Sequence, residues 1–526
     1  MSHGRASATI AAGTLASRLS GLLRAVVLVA AIGSVGKASD AFAVANQLPN
    51  SIYQVISAGV LTGVIVPQVV RASAQKDGGH AFLAKLLTLG TLIVGAITVV
   101  ATVGAPLLID LYADFGTAQH ALATQFAYWC VPQLFFYGMF ALLGEILNAR
   151  RVFGPYAWAP IINNVVSIAG FALFMVLFGQ DRSTLEGWSP AMVLMLSGTA
   201  TAGVIAQTIV LVLFWRRVGI PLRLDFRWRG MGLGHMGRLA FWTFLTTLAG
   251  QIVGIVQSQT VTPASGENAA VAASQYAWLV FMVAYSLVVI AVGTPYFTRI
   301  SEHAAAEEHV ELRETVRQSI RILGLLIVIA TAAIAVAALP ASRIFSNSAA
   351  DAVAIAPLLL AYLVSLLPLA VLYIVQRTFY AYGDARTPFI YTLVQAGLVL
   401  VLTLAVALTT PLEQRAAAVA LAQSFASTVQ TVIAAILLRR KFGSFGLGPT
   451  WLALCRFVLM AIPAAAAGWG VFLLTGAADG WMLQDKLWGA LGAALIAVVT
   501  GGVYGALLAA FRVPELGAAL RMLRRR

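Results

Sequence analysis

About fourteen runs of mostly apolar residues, each long enough to cross a bilayer, take up nearly all of this 526-residue chain. A spanning helix needs roughly 20 such residues. The runs lie near 8–34, 39–72, 80–111, 118–149, 155–179, 190–217, 233–262, 267–299, 315–339, 351–382, 387–409, 414–439, 449–476 and 484–511. The chain is 60% hydrophobic and only 10% charged, with a mean hydropathy of +0.88. Soluble proteins of this size carry far more charge, so the soluble enzyme classes are excluded. The expected fold class is an all-α polytopic membrane protein.

Net charge is +14, but the basic residues are scattered over short loops and read as topology signals. No nucleic-acid partner is expected. One set of loops holds Arg71/Lys76, Arg150/Arg151, Arg216/Arg217/Arg223/Arg227/Arg229, Arg299/Arg313/Arg317, Arg386 and Arg439/Arg440/Lys441. The opposite set carries Lys37, Arg182, Arg343, Arg415 and Lys486. The positive-inside rule puts the first set in the cytoplasm, with both termini. That requires an even number of spans. The terminal RMLRRR suits a cytoplasmic anchor beside anionic headgroups. The short, basic N-terminus leads straight into a full span, so no cleavable signal peptide is expected.

The sequence repeats itself. VIVPQVVRAS at 64–73 aligns with VGTPYFTRIS at 292–301 at a shift of 228, pairing Pro67 with Pro295, Arg71 with Arg299 and Ser73 with Ser301. The same shift sets Asp40 on Asn268, Ala45 on Ala273 and Gln47 on Gln275. Six spans separate the copies, so they run parallel, as in two-lobed transporters. The expected plan is a six-helix lobe at 1–230, a second at 231–445, and two extra helices with a basic tail at 446–526.

The first span contains Arg18 and Arg24, ~15 and ~24 Å along its helix. An arginine near the bilayer centre costs at least ~2.5–3.5 kcal/mol. Both must face protein, water or an anionic ligand, which points to a polar cavity for something negatively charged. Arg18 is also within snorkelling distance of the cytoplasmic surface. Gly13, Ser17 and Gly21 recur every four residues and allow close helix approach. Ser17 and Arg24 share a face; Arg18 lies a third of a turn away. The second span carries Asp40, Asn46, Gln47, Pro49, Asn50, Tyr53 and Gln54. Pro49 should kink it. The amides either line a pocket or bind neighbouring helices. Asp40 is either a helix cap or a counter-charge for an arginine of the first span.

Elsewhere polarity is sparser. Glu145 is expected in a surface ion pair with Arg150 or Arg151. Gln251, Gln257 and Gln259 make the seventh span polar without charge. Arg377 sits a turn or two from a basic loop, within snorkelling reach. The anion site is therefore expected mainly on the N-terminal half. No ATPase, HExxH, GxSxG or paired-cysteine metal motif occurs, so neither enzymatic activity nor a metal or cofactor is expected. Cys130 and Cys455 read as packing residues. Transport would be driven by ion, voltage or substrate gradients.

SRLSGLLR (17–24), SDAFAVANQLPN (39–50), GVIVPQ (63–68), PQLFFYGMFALLGEILNARRVFGPYAWAPIINNVV (132–166) and QRTFYAYGDARTPF (376–389) resemble the MurJ/MviN lipid II flippases, a branch of the multidrug and polysaccharide exporters. The resemblance spans essentially the whole chain. It implies fourteen helices, two parallel six-helix repeats plus two C-terminal helices. It also implies transfer of undecaprenyl-pyrophosphate-linked peptidoglycan precursor to the outer leaflet of the bacterial cytoplasmic membrane by alternating access. Arg18 and Arg24 match arginines that hold the pyrophosphate and sugar, and Asp40 matches an important acid. With Ser17, Asn46, Asn50 and Gln54 they form the expected substrate site. The last two helices would cradle the prenyl tail. Tyr53 and Leu279 stand where many members have arginine. Gln251, Thr392 and Gln395 offer no carboxylate for a sodium site. Lipid II, membrane lipids and wall-synthesis machinery are the expected partners. A flippase for another polyprenyl-linked glycan, a cation-coupled drug exporter and a non-transporting membrane scaffold that organises wall synthesis are the rival readings; the exporter expects acids where the first span has arginines, and the scaffold expects function to survive loss of Arg24.

Overall fold

The computed structural model describes residues 3–58, 80–150, 152, 154–215, 225–226, 237–443 and 445–517; the side chains of 3–12, 80–81, 149, 237–240 and 243 are not described. Helices dominate these residues, and no β-strand occurs among them. The chain divides into two compact units, Met1–Glu267 and Asn268–Arg526.

Unit 1 contains α1 (His3–Ile32), α2 (Lys37–Ile56), α3 (His80–Val103), α4 (Ala105–Tyr112), α5 (Thr117–Cys130), α6 (Gln133–Ala149), α7 (Gly154–Phe178), α8 (Pro190–Trp215) and α9 (Gly237–Val261). The small-residue stripe of α1 packs on α7. A Cβ added at Gly13 would stand 3.0 Å from Trp158 Nε1, and one at Gly21 3.7 Å from Asn164 Nδ2. The opposite stripe, Leu15, Leu19 and Leu23, is 45–56% exposed and forms the lipid face. The α1–α2 turn is laced to the 179–189 loop by Ala38 N–Ser183 O (2.9 Å), Asp181 N–Ala30 O (3.1 Å) and Arg182 N–Ala31 O (2.9 Å). Gly36 allows this approach: its φ is +145°, and a Cβ there would meet Ser183 O at 2.6 Å.

Unit 2 contains α10 (Val271–Ala284), a π-helical turn (Tyr285–Ile290), α11 (Ala291–Ala305), α12 (His309–Val336), α13 (Ala338–Ile344), α14 (Ala349–Leu363), α15 (Leu366–Ala381), α16 (Arg386–Thr409), α17 (Leu412–Phe442), α18 (Gly448–Leu474) and α19 (Lys486–Ala510). The last hairpin packs on α12: Tyr504 Oη donates to Leu325 O at 3.5 Å. Phe472, Met482, Leu483 and Ile496 bury a small core with Ala337.

Twelve helical stretches among the described residues are long and apolar enough to cross a membrane. This is a multi-span membrane protein, but the count of fourteen is not reached on that criterion. The described parts of the predicted spans 39–72 and 233–262 are α2 and α9, and neither is in the set. Their amides lower the mean hydropathy. Pro49 lies inside an otherwise continuous α2. The stretch to Glu267, α9 included, belongs to unit 1. Residues 64–73, the loop cations Arg71, Lys76, Arg151, Arg216, Arg217, Arg223, Arg227 and Arg229, and the RMLRRR tail lie outside the described residues. Cys130 is buried, as a packing residue should be; Cys455 is exposed on α18 and packs nothing comparable.

Candidate functional site

Helix geometry decides where the α1 arginines point. At ~100° per residue, Arg18 and Arg24 fall roughly 100° and 140° from Leu19, so neither lies on the leucine stripe. Both are half-buried. Arg24 shares the α7-facing side with Gly13, Ser17 and Gly21, whereas Arg18 is on the side of Ala25. Among the described residues neither joins an ion pair. Arg24 is within electrostatic reach of the Tyr137 hydroxyl on α6.

From Tyr137 a hydrogen-bonded chain crosses the unit. Tyr137 Oη donates to Gln133 Oε1 at 3.3 Å. Gln133 Nε2 donates to Asn46 Oδ1 on α2 (3.2 Å) and to Thr201 Oγ1 on α8 (3.1 Å). Thr201 Oγ1 in turn donates to Trp129 O at 2.7 Å. Asn164 Nδ2 donates to Ser17 O (3.1 Å) and to Ser20 Oγ (2.9 Å), locking α1 to α7. Asn163 Nδ2 reaches Gln207 Oε1 at 3.3 Å between α7 and α8. Each such bond in a membrane contributes ~0.6 kcal/mol on average, so together they fix helix positions.

The expected site residues other than the two arginines fall into three groups. Asn46, Asn50 and Gln54 form one stripe along α2; Asn46 is half-buried in the chain above, while Asn50 and Gln54 are exposed. Exposed amides on a helix at membrane depth face water or ligand, because acyl chains satisfy none of their hydrogen bonds. Gln251 Nε2 of α9 donates to Gln54 Oε1 at 3.3 Å. Ser17 belongs to the α1–α7 seam through its carbonyl.

Asp40 stands apart, fully buried in the first turn of α2. It accepts from Ser265 Oγ at 2.6 Å, and Gln119 Nε2 donates to that Ser265 Oγ at 2.8 Å. It does not cap α2, whose N-cap is Gly36. Around it α9 is clamped to α4: Gln259 Nε2 donates to Asp110 O (2.6 Å) and Leu111 O (3.0 Å), and Asp114 N donates to Thr262 Oγ1 (2.9 Å).

Glu145 is half-buried; Arg151, one of its two expected partners, is outside the described residues. Sequence reasoning passed over Gln133, Tyr137, Asn164 and Thr201. The available signal for Gln133 and Asn164 is an amide at mid-span in 132–166; Tyr137 and Thr201 carry no such signal. Among the described residues no three His, Cys, Asp or Glu side chains gather around a point that would suit a metal.

Two helical units built mostly of membrane-length helices, with polar groups buried along them, define a polytopic membrane protein. The fold is shared with a solved lipid II flippase MurJ in an inward-closed conformation (TM-score 0.71, 20% identity, covering 93% of this chain and 98% of that one). It is also shared with an inward-facing multidrug resistance MATE family transporter of the MOP superfamily (TM-score 0.68, 16% identity, 82% and 96%). The family model described as lipid II flippase MurJ matches residues 29–490. A probable lipid II flippase MurJ of Rhizobium meliloti is 26% identical over 525 residues, covering 96% of this chain and 95% of the relative. One from Synechocystis sp. is 27% identical over 390 residues, covering 72% of each. This chain belongs to the lipid II flippase MurJ family.

Proposed function

We propose that this chain carries lipid II, the undecaprenyl-pyrophosphate-linked peptidoglycan precursor, from the cytoplasmic to the outer leaflet by alternating access. The observation that carries the reading is the pair Arg18 and Arg24: half-buried in a span, off its lipid face, and without an ion pair among the described residues. A guanidinium fork matches pyrophosphate oxygens in a bidentate way. The attraction is stronger where water is thinned out.

The chain's own groups then have roles. Arg18 and Arg24 neutralise the pyrophosphate. Asn46, Asn50 and Gln54 offer donors and acceptors to the sugar hydroxyls. The Ser17–Asn164 seam holds α1 in place. Asp40 acts at the far end of α2, in the clamp with Ser265. The prenyl tail stays in lipid throughout. Both termini are cytoplasmic in this reading, and membrane potential, negative inside, favours return of the empty cationic site at ~2.3 kcal/mol per charge per 100 mV. Wall-synthesis enzymes would receive the delivered precursor.

Depletion of the protein, followed by an assay of which lipid-linked precursor accumulates on the cytoplasmic leaflet, tests this. Accumulation of lipid II is the expected result. Lipid II reaching the outer leaflet at the normal rate would refute it.

A further inference from the structure

Arg377 lies in α15 of unit 2, a different unit from the α1 arginines. Its guanidinium carbon stands 5.0 Å from the ring centres of Phe297 and Tyr373 and 6.0 Å from that of Tyr380. Two of the rings come from α15 itself, about one turn before and after; Phe297 comes from α11. The Nε is shielded from solvent and has no hydrogen-bond partner. Among the described residues no carboxylate pairs with it.

The polar ends of the two tyrosines are engaged with other groups. Tyr373 Oη shares a 3.4 Å contact with Thr294 Oγ1, and Gln376 Nε2 donates to Tyr380 Oη at 3.1 Å. Around Arg377 the surface is polar and accessible. Thr294, Thr298 and Tyr380 are exposed, and Gln376 and Arg377 are half-buried. Yet α11 and α15 both belong to stretches apolar enough to span the membrane. A polar, accessible face on such a helix does not meet acyl chains, because each unpaired donor there is costly.

The rings hold the Arg377 guanidinium over their faces. Ring faces attract the cation but use none of its five N–H donors. A planar fork steadied from behind, with donors to spare, is prepared for an oxyanion.

We propose that Arg377, steadied by Phe297, Tyr373 and Tyr380, forms a second anion-binding site, on unit 2, for a phosphate or carboxylate group of the transported headgroup. The proposal rests on the flippase reading.

The test uses the full-length protein in lipid nanodiscs and two soluble probes. Farnesyl pyrophosphate presents phosphates without a peptide, and N-acetylmuramoyl pentapeptide presents carboxylates without phosphate. Calorimetric titration should show Arg377→Gln binding at least one probe tenfold or more weakly than the unmodified protein, and the affected probe names the source. Arg377→Lys keeps a charge over the rings and loses the fork, so its loss should be intermediate. Equal binding of both probes by Arg377→Gln overturns the site, as does binding of neither probe by the unmodified protein. If Arg377→Gln does not purify as a monodisperse species, Arg377→Lys decides: less than a threefold change for both probes overturns the site. Loss of flipping in Arg24→Gln, with binding and flipping intact in Arg377→Gln, removes this site and leaves the flippase reading standing. Unchanged binding and unchanged flipping in both variants remove both.

Discussion

Ser265 Oγ donates to Asp40 Oδ2 at 2.6 Å, joining residues 225 positions apart and tying the end of α9 to the first turn of α2. Asp40 is completely buried, so the acceptor has no recourse to bulk water. Leaving a buried acceptor without its donor costs about 1–3 kcal/mol. Ser265→Ala should therefore lower the thermal midpoint of the purified protein. Asp40→Asn should lose most of the added effect of Ser265→Ala, because the pair is coupled. A double-mutant cycle by thermal unfolding measures it; additive losses would show that the two side chains act separately.

Arg24 has no ion pair to lose among the described residues, so its replacement should affect substrate more than stability. A charge-assisted hydrogen bond contributes about 1.5–3 kcal/mol, or roughly 10–100-fold in affinity. Arg24→Ala should reduce flipping by about that factor at normal protein abundance. Arg24→Lys should fall in between, since it keeps charge and loses bidentate geometry. Quantifying lipid II on each leaflet after replacing the resident flippase gives the readout. Normal flipping by Arg24→Ala would indicate that the protein is a scaffold and not a carrier.

The sequence displays features whose cause is local. The leucine and small-residue stripes of α1 repeat every four residues, and the amides at 46, 50 and 54 share a face by the same spacing. What it hides is set by distant partners. Nothing near Gln251 or Gln259 announces that α9 packs in unit 1, because its partners are Gln54, Asp110 and Leu111, some 150–200 residues earlier. Nothing in the sequence near Arg377 announces that Phe297, 80 residues away, stands over its guanidinium. Cys455 reads as a core residue because an apolar span looks the same on its lipid face as on its packed face.

Acid should loosen the α15–α16 corner. Burial alone raises the Asp384 carboxyl, but the Lys441 ammonium at 2.7 Å and the Thr387 hydrogen bonds outweigh it and hold the carboxyl below the ordinary carboxylate value. A depressed value means that the native state favours the ionised form. The resulting stabilisation is complete above the unfolded-state value, about 3.9, and is lost as pH falls through the lower native value. The thermal midpoint should fall in that acid range, and the part due to this pair should be missing in Asp384→Asn. A scan from pH 7 to pH 3 compares the two proteins. Parallel profiles would exclude the pair as the cause.

Arg343 fastens the last hairpin to the rest of unit 2. Its side chain is 6% exposed, and its donors reach three backbone carbonyls: Ser346 O at 2.7 Å, Leu483 O at 2.8 Å and Gln484 O at 2.9 Å. Burial pulls the guanidinium below its usual value, and Asp485 and Asp351 partly offset this. The carbonyls of 483 and 484 lie between α18 and α19, so the contact joins α13 to that connection. Lysine cannot reproduce a three-carbonyl fork, because its donors converge on one nitrogen. Arg343→Lys should cost about 1–2 kcal/mol, and Arg343→Ala about 2–4 kcal/mol through the unpaired carbonyls. Because two of the three lost bonds fall in the connection between α18 and α19, the first effect should be local opening there. Limited proteolysis between residues 475 and 486 should accelerate in Arg343→Ala before the global thermal midpoint moves by a comparable amount. Cleavage at the unmodified rate would mean that the Phe472–Met482–Ile496 core holds the hairpin without the arginine.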